Sequence, residues 1–146
     1  MKVALLLLLL LSACKENPMS DIMKSIKHLW MGAQGLAGSK TGFAGVRGAD
    51  AEKLAKDPAV FVLDVRTPGE YAEGRIERGT LVPVDELANR LAELPADKEK
   101  PVLVYCAMGG RSARAATMLA AQGWTTVFNL EGGITGWREE GRPVAK

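Results

Sequence analysis

Residues 102–116 read VLVYCAMGGRSARAA and decide how the chain folds. Four apolar residues end in a cysteine, two glycines and an arginine follow, and an alanine-rich helical pattern comes next. An apolar run of this kind is typical of a parallel strand that is covered on both faces. In open parallel sheets, ligands bind where the strands end and the helices begin. The stretch therefore predicts a strand, a binding loop and a helix, in that order.

Strand and helix patterns alternate on both sides of this stretch. The predicted elements are a helix over 50–56 capped by Asp50, a strand over 59–65, a helix over 84–94, the strand over 102–105, a helix over 112–122, a strand over 125–130 and a short helix ending near residue 141. Strands that alternate with helices predict an α/β fold, an open parallel β-sheet with helices on both faces.

The composition is that of an ordinary globular domain. The 146 residues are 47% hydrophobic and 25% charged, with a net charge of +2. This balance provides no basic footprint for nucleic acid, so no nucleic-acid partner is expected. His28, the only histidine, has no Cys, Asp or Glu cluster around it, and we predict neither a metal site nor a cofactor.

The N-terminus, MKVALLLLLLLSAC, has the layout of a secretory signal. One lysine precedes a short apolar run, and small residues follow it. The run is too short to span a bilayer, which needs about 20 apolar residues. The block LSAC resembles the bacterial lipobox, in which cleavage falls before the cysteine and the cysteine is lipidated. The alternative is a plain signal peptide with Cys14 incidental.

These features predict three parts of the chain. Residues 1–13 are the signal peptide, 14–45 are a lipidated N-terminus with a flexible tether, and 46–146 are the folded domain. Lipidation of Cys14 would anchor the protein to a membrane and leave Cys106 as an unpaired thiol in an oxidising compartment. Lys15 stands where an aspartate would signal retention in the inner membrane. The expected location is the cell envelope, at the outer membrane facing the periplasm.

Cys106 lies where a parallel sheet places its ligands. Gly109 and Gly110 allow successive backbone N–H groups to turn toward one point and bind an anion. The helix N-terminus and Arg111 add positive charge, so the pKa of the Cys106 thiol should be lowered and the sulfur nucleophilic. The alternative is a small buried core residue. A nucleotide phosphate loop fits poorly, because no Lys-Ser/Thr pair follows the glycines.

Three ordered motifs, CAMGGRS, DVRTPGEYAEGRI and NLEGGITGW, resemble those of the single-domain rhodaneses, the thiosulfate sulfurtransferase family. The resemblance covers residues 46–144. Many members carry a basic residue directly after the cysteine, where this chain has Ala107 and Met108. The turn from Gly74 to Gly79, GRIERG, is also more charged than the family's usual Gly-His-Ile-Pro-Gly-Ala.

The resemblance implies a sulfurtransferase that works through a persulfide on Cys106. A small anionic sulfur donor similar to thiosulfate would load the cysteine, and a thiol or cyanide would accept the sulfur. Asp64 and Arg66 either support the loop as a buried or rim pair or form a plain structural salt bridge. The implied substrate-binding loop consists of Ala107, Met108, Gly109, Gly110 and Arg111.

Two other functions remain open on the sequence. Phosphatases related to this fold place five residues between their cysteine and arginine, whereas four separate Cys106 from Arg111 here, and the smaller loop favours sulfur over phosphate. A sulfur carrier or partner-binding module without turnover is the second alternative. The retained cysteine is compatible with a carrier.

Overall fold

The computed structural model describes residues 42–146, so the signal peptide, Cys14 and the first part of the tether lie outside the described residues. The helices and strands of the described part are β1 (Ala44–Val46), α1 (Gly48–Lys56), β2 (Phe61–Asp64), α2 (Pro68–Ala72), β3 (Thr80–Leu81), β4 (Val102–Tyr105), α3 (Gly110–Ala121), β5 (Val127–Leu130) and α4 (Gly133–Glu139). Two short 3₁₀ helices, Leu87–Asn89 and Leu91–Glu93, precede β4.

The five strands form one parallel sheet in the order β1-β5-β4-β2-β3. β4 is therefore the central strand, flanked by β2 on one side and β5 on the other. Leu63 of β2 pairs with Val104 of β4, and Val104 pairs with Asn129 of β5. This register brings the carboxyl ends of β2, β4 and β5 to the same edge of the sheet.

Both faces of the central strand are covered. Val102 and Val104 pack in a cluster with residues of α3, among them Ala115 and Leu119. Successive side chains of a strand point to opposite faces, and Leu103 is also fully buried. The predicted α/β fold with a parallel sheet is confirmed.

The folded part begins earlier than the sequence analysis placed it. Ala44 and Gly45, assigned to the tether, lie in β1, which pairs with β5. The first helix starts at Gly48, and its N-cap is Arg47 rather than Asp50, which lies inside the first turn. A three-residue edge strand among glycines carries too little pattern to be seen in the sequence.

The predicted helix over 84–94 is wrong. The backbone N–H of Val84 donates to the carbonyl of Val65, which ties this residue to the chain just after β2, and Val84 lies in a turn. Two separate 3₁₀ helices follow, and Arg90 between them has φ −121° and leaves the helical range. The leucine spacing was real, since Leu87 and Leu94 are both buried. The two leucines pack into the core separately, and no continuous helix connects them.

The short helix α2 was not predicted from the sequence. Thr67 is its N-cap, and the side chains of Thr67 and Glu70 each bond to the backbone N–H of the other, which forms a capping box with Pro68 at the first position. The pattern Thr-x-x-Glu that predicts such a start is present in the sequence. The same segment leads to β3, a two-residue strand that was also missed.

Arg78 accounts for the unusual charge of the turn before β3. Its backbone has φ +66°, a left-handed conformation that is uncommon outside glycine. Its guanidinium donates hydrogen bonds to the backbone carbonyls of Ala55, Asp57, Pro58 and Val60. These include carbonyls at the C-terminal end of α1, which have no partner within the helix. The Arg78 side chain therefore ties this turn to the end of α1.

Candidate active site

Cys106 follows β4 directly, and α3 begins four residues later at Gly110. This start lies two residues before the predicted one. Gly109 is the N-cap of α3 with φ +104°, a left-handed conformation that glycine adopts without strain. The chain therefore reverses from strand to helix within three residues, and this reversal curls the backbone around the sulfur.

The sulfur of Cys106 accepts hydrogen bonds from two groups. The backbone N–H of Gly109 lies 3.0 Å from Sγ, and the hydroxyl of Ser112 lies 3.3 Å from it. Burial opposes ionisation of the thiol, because Cys106 is only 1% exposed. The Ser112 hydroxyl and the N–H groups of Ser112, Gly109 and Met108 outweigh burial and lower the pKa of Cys106. Donors directed at the sulfur favour the thiolate.

The backbone at Gly109 is fixed from three sides. Its carbonyl accepts hydrogen bonds from the Ala113 N–H at 3.0 Å and the side-chain amide of Asn129 at 3.3 Å, and the Ser112 hydroxyl, 3.1 Å away, shares its one hydrogen between this carbonyl and the sulfur. Asn129 belongs to β5 and is buried. The orientation of the Gly109 N–H toward the sulfur is therefore set by the neighbouring strand as well as by α3.

The N-terminus of α4 holds the other side of the loop. The backbone N–H of Ile134 donates to the carbonyl of Cys106 at 2.9 Å, and that of Thr135 donates to the carbonyl of Ala107 at 3.0 Å. The approach is close enough that a β-carbon on Gly133 would lie 2.5 Å from the Cys106 carbonyl oxygen. This contact explains the second glycine of NLEGGITGW, because only glycine fits there.

Arg111 is paired with Glu70 of α2. The guanidinium donates to both carboxylate oxygens, at 2.6 and 2.8 Å. The hydrogen bonds of Arg111 lower the pKa of Glu70 to about 2, with burial opposing and Thr67 assisting. The pKa of Arg111 is raised, chiefly by Glu70 and to a smaller extent by the charge of Cys106. Arg111 therefore lies within the electrostatic reach of the sulfur.

Asp64 and Arg66 form a buried ion pair that touches the loop only indirectly. Both residues are almost fully buried, and Nη2 of Arg66 lies 2.6 Å from the Asp64 carboxylate. The Arg66 guanidinium also donates to the backbone carbonyls of Glu70 and Gly74, at 3.1 and 2.9 Å. The pair thus holds the middle of α2 and the turn that follows it, and α2 presents the carboxylate that holds Arg111.

Tyr105 lies beneath this ion pair. The Arg66 guanidinium stands 5.4 Å from the centre of its ring, and the Ile76 N–H donates to its hydroxyl. Burial, followed by the charge of Asp64, raises the pKa of Tyr105 well above its ordinary value. The phenol is therefore neutral and serves as a structural support next to the cysteine.

The predicted loop residues differ in exposure. Ala107 is half-buried, Gly110 is exposed, and Met108 is 76% exposed, so its side chain stands free beside the cysteine. No role was predicted for Ser112, Glu70 or Gly133, although all three lie in the three family motifs. Position in a motif was the available signal, whereas their contacts depend on the tertiary structure.

Across residues 42–146, no group of three or more His, Cys, Asp or Glu side chains is placed to hold a metal ion. No helix of this described part has the length and apolar character needed to cross a membrane.

Comparison with known proteins identifies the family. The protein-family model of the rhodanese-like domain matches residues 48–140 of this chain. The chain belongs to the rhodanese-like domain family. The match extends from α1 to the end of α4, so it includes every element that contacts the cysteine loop. The resemblance seen in the three motifs is confirmed.

Relatives of known name or structure agree with this assignment. A sulfurtransferase of Allochromatium vinosum is 37% identical over 94 residues, which cover 64% of this chain and 86% of that protein. The crystal structure of a rhodanese-related protein from Thermoplasma volcanium is 40% identical, with a TM-score of 0.62, and the match covers 69% of this chain and 96% of that one. The solution structure of a polysulfide-sulfur transferase homodimer from Wolinella succinogenes is 29% identical, with a TM-score of 0.62, covering 86% of this chain and 88% of that one.

Proposed function

We propose that this rhodanese-like sulfurtransferase moves sulfane sulfur from a small anionic donor to a thiol or cyanide acceptor, through a persulfide on Cys106. The observation that carries the proposal is the placement of two hydrogen-bond donors on a buried sulfur, from the Gly109 N–H and the Ser112 hydroxyl. These donors favour the thiolate, and a preformed thiolate needs no general base. The chemistry therefore suits a loop without histidine.

The first step is attack of the Cys106 thiolate on the outer sulfur of the donor. With thiosulfate, a new S–S bond forms to Cys106, the S–S bond of the donor breaks, and sulfite leaves with the bonding electron pair. The terminal sulfur of the persulfide then carries the negative charge that the thiolate brought. We expect backbone N–H groups of the loop to stabilise that charge, as an oxyanion hole stabilises oxygen.

The second step returns the thiolate. An acceptor thiolate or cyanide attacks the terminal sulfur, the S–S bond to Cys106 breaks, and the electron pair returns to the cysteine. With cyanide the product is thiocyanate. Cycling of one cysteine between thiolate and persulfide predicts ping-pong kinetics. A carrier module would load in the first step and discharge only to a partner protein.

Mass spectrometry of the purified protein after incubation with thiosulfate tests the proposal. We expect the mass of one sulfur atom to appear on the Cys106 peptide and to disappear on addition of cyanide. The variant Cys106→Ser should not gain this mass, and Cys14→Ser, the matched cysteine control, should load as the wild type does. Absence of loading by any sulfane donor would refute the proposed function. Loading without discharge to small acceptors would support the carrier alternative.

We also propose that Cys14 carries a lipid and holds the domain at the outer membrane, facing the periplasm. The block LSAC and the residue after it, Lys15, support this location. Two or three acyl chains anchor far better than one, because each buried methylene adds about 0.8 kcal/mol. Radiolabelled palmitate should enter the wild type and the Cys106→Ser variant, but not Cys14→Ala. An unlabelled wild-type protein in the aqueous fraction would reduce this segment to a plain export signal.

A further inference from the structure

Asn129 is a polar side chain in an apolar strand. Its neighbours in β5, Val127, Phe128 and Leu130, are all buried hydrophobic residues, and Asn129 itself is 7% exposed. Within the part of the chain that the structure describes, its Oδ1 is buried and has no hydrogen-bond partner. A buried acceptor without a partner lowers the free energy of unfolding, because its bonds to water are lost and not replaced. The stability of the strand therefore does not account for an amide at this position.

The nitrogen of the Asn129 amide bonds to the cysteine loop. Nδ2 donates to the Gly109 carbonyl at 3.3 Å. The two other donors to that carbonyl, the Ser112 hydroxyl and the Ala113 N–H, lie in the first turn of α3 and belong to the helix itself. Asn129 lies in the sheet, and its strand pairs with β4, which Cys106 follows directly. Of these three donors, only Asn129 therefore fixes the N-terminus of α3 relative to the strand that leads to the cysteine.

The Gly109 carbonyl shares a peptide plane with the N–H of Gly110. No peptide bond of the described residues is cis, and in a trans peptide the C=O and the N–H point in opposite directions. Because the carbonyl is directed at Asn129, the Gly110 N–H points away from β5. Gly110 is exposed, a β-carbon on it would meet no atom of another segment within 4 Å, and no hydrogen bond among the described residues uses its N–H. This N–H is a donor that can bind a group arriving at the loop.

The two donors to the Cys106 sulfur lie outside this peptide plane. The Gly109 N–H belongs to the preceding peptide, and the Ser112 hydroxyl is a side chain of α3. Both stabilise the thiolate before a sulfur donor arrives. In the loaded state the negative charge lies one bond further out, on the terminal sulfur. Because Cys106 is 1% exposed, we expect that sulfur to extend toward the open side of the loop, where Gly110 lies.

We propose that Asn129 is a positioning residue for sulfur transfer: it fixes the Gly109 carbonyl to the sheet, and the Gly110 N–H then binds the terminal sulfur of the Cys106 persulfide. This inference rests on the proposed function and makes its loading step depend on a residue outside the loop. In that step the new S–S bond forms to Cys106, the S–S bond of the donor breaks, and sulfite leaves with the bonding electron pair. An N–H that is fixed before the charge reaches the terminal sulfur needs no reorganisation during the step. The same contact leaves Oδ1 without a partner, so sulfur transfer and stability are opposed at Asn129.

The experiment measures three properties of Asn129→Leu, an apolar variant of similar size. Loading is followed by mass spectrometry after rapid quenching of the reaction with thiosulfate, and its rate constant should fall about tenfold with the loss of one positioned N–H. The pH profile of Cys106 alkylation should remain that of the wild type, because the Gly109 N–H and the Ser112 hydroxyl are retained. The urea concentration at the midpoint of unfolding should equal that of the wild type or exceed it.

Phe128→Leu, a change of packing at the adjacent position of β5, is the matched control. Phe128 is fully buried, and successive side chains of a strand point to opposite faces, so it does not share the face of Asn129. This variant should unfold at lower urea and load sulfur at the wild-type rate. Should Asn129→Leu not fold, Asn129→Ser, which removes the amide without adding volume, replaces it in the loading and alkylation measurements.

The outcomes separate the two proposals. Failure of wild-type Cys106 to take up sulfur from any sulfane donor would refute the proposed function, and the role of Asn129 with it. Wild-type loading together with an unchanged rate in Asn129→Leu would overturn only the role of Asn129. A loss of loading that Phe128→Leu matches, or that accompanies a shift of the alkylation profile to higher pH, would also overturn it, because Asn129 would then act on packing or on the thiolate. Slower loading with an unshifted profile supports it.

Discussion

Gly133 lies against the backbone of Ala107 so closely that a β-carbon on Gly133 would stand 2.4 Å from the Ala107 carbonyl oxygen. The two residues belong to different elements, α4 and the cysteine loop. The N-terminus of α4 therefore completes the loop by supplying two backbone N–H groups to its carbonyls. A carbonyl held outward in this way leaves the neighbouring N–H groups free to face the sulfur.

We expect Gly133→Ala to destabilise the protein by at least about 2 kcal/mol, because the added carbon meets backbone atoms and the residue has φ +58°. Sulfur transfer should also fall, since the loop must shift. Gly136→Ala, in the same helix, is the matched control, because a β-carbon on Gly136 would lie 4.0 Å from the Glu131 carbonyl oxygen, an ordinary contact. Urea unfolding measures both variants. Equal stability of the two would contradict the close packing.

Removal of the Ser112 hydroxyl should raise the pKa of Cys106, because one of the donors that oppose its burial is lost. The pH profile of alkylation, followed on the Cys106 peptide, should move to higher pH in Ser112→Ala, and the reaction at neutral pH should slow. Thr117→Ala, which removes a hydroxyl from the exposed side of the same helix, should keep the wild-type profile. An unshifted profile in Ser112→Ala would show that the hydroxyl does not stabilise the thiolate.

The buried pair of Asp64 and Arg66 should be costly to break from one side. Asp64→Ala leaves the Arg66 charge buried without its partner, and a loss of about 3–5 kcal/mol is expected. The double variant Asp64→Ala/Arg66→Met, which removes both charges, should lose less free energy of unfolding than the sum of the losses in Asp64→Ala and Arg66→Met. Urea unfolding of all four proteins provides the cycle. Additive losses would mean that the pair is not coupled.

The pair of Glu70 and Arg111 should make the free energy of unfolding depend on pH in the acid range. Because the pKa of Glu70 falls from 4.5 to about 2 in the folded protein, its contribution is complete above pH 4.5 and is lost as the pH falls toward 2. The drop in unfolding free energy between about pH 6 and about pH 3 should be smaller in Glu70→Gln than in the wild type. Glu139→Gln, an exposed carboxylate change on α4, serves as the control. An equal drop in Glu70→Gln would disprove the coupling.

Sequence reasoning succeeded where contacts are local. The run VLVY, the glycines after Cys106 and the alanine pattern predicted a strand, a loop and a helix within residues that are close neighbours in the chain. The contact of Ser112 with the sulfur was not predicted, although Ser112 is only six residues from Cys106, in the first turn of α3. Sequence reasoning failed at residues 84–94, where leucine spacing predicted a helix and a backbone hydrogen bond ties Val84 to Val65, just after β2. Tertiary hydrogen bonds overrode the local pattern there.

Motifs and periodicity are properties of short segments, so they were sufficient to indicate the family and the α/β class and to predict Cys106 as the nucleophile. Only the tertiary structure decided which side chains meet at the cysteine. Glu70 and Arg111 are 41 residues apart in the chain, and Gly133 reaches Ala107 from another helix. These contacts exist because the parallel register brings the carboxyl ends of β2, β4 and β5 to one edge of the sheet. Strands buried on both faces, such as β4 and β5, lack the alternating pattern that would specify their register.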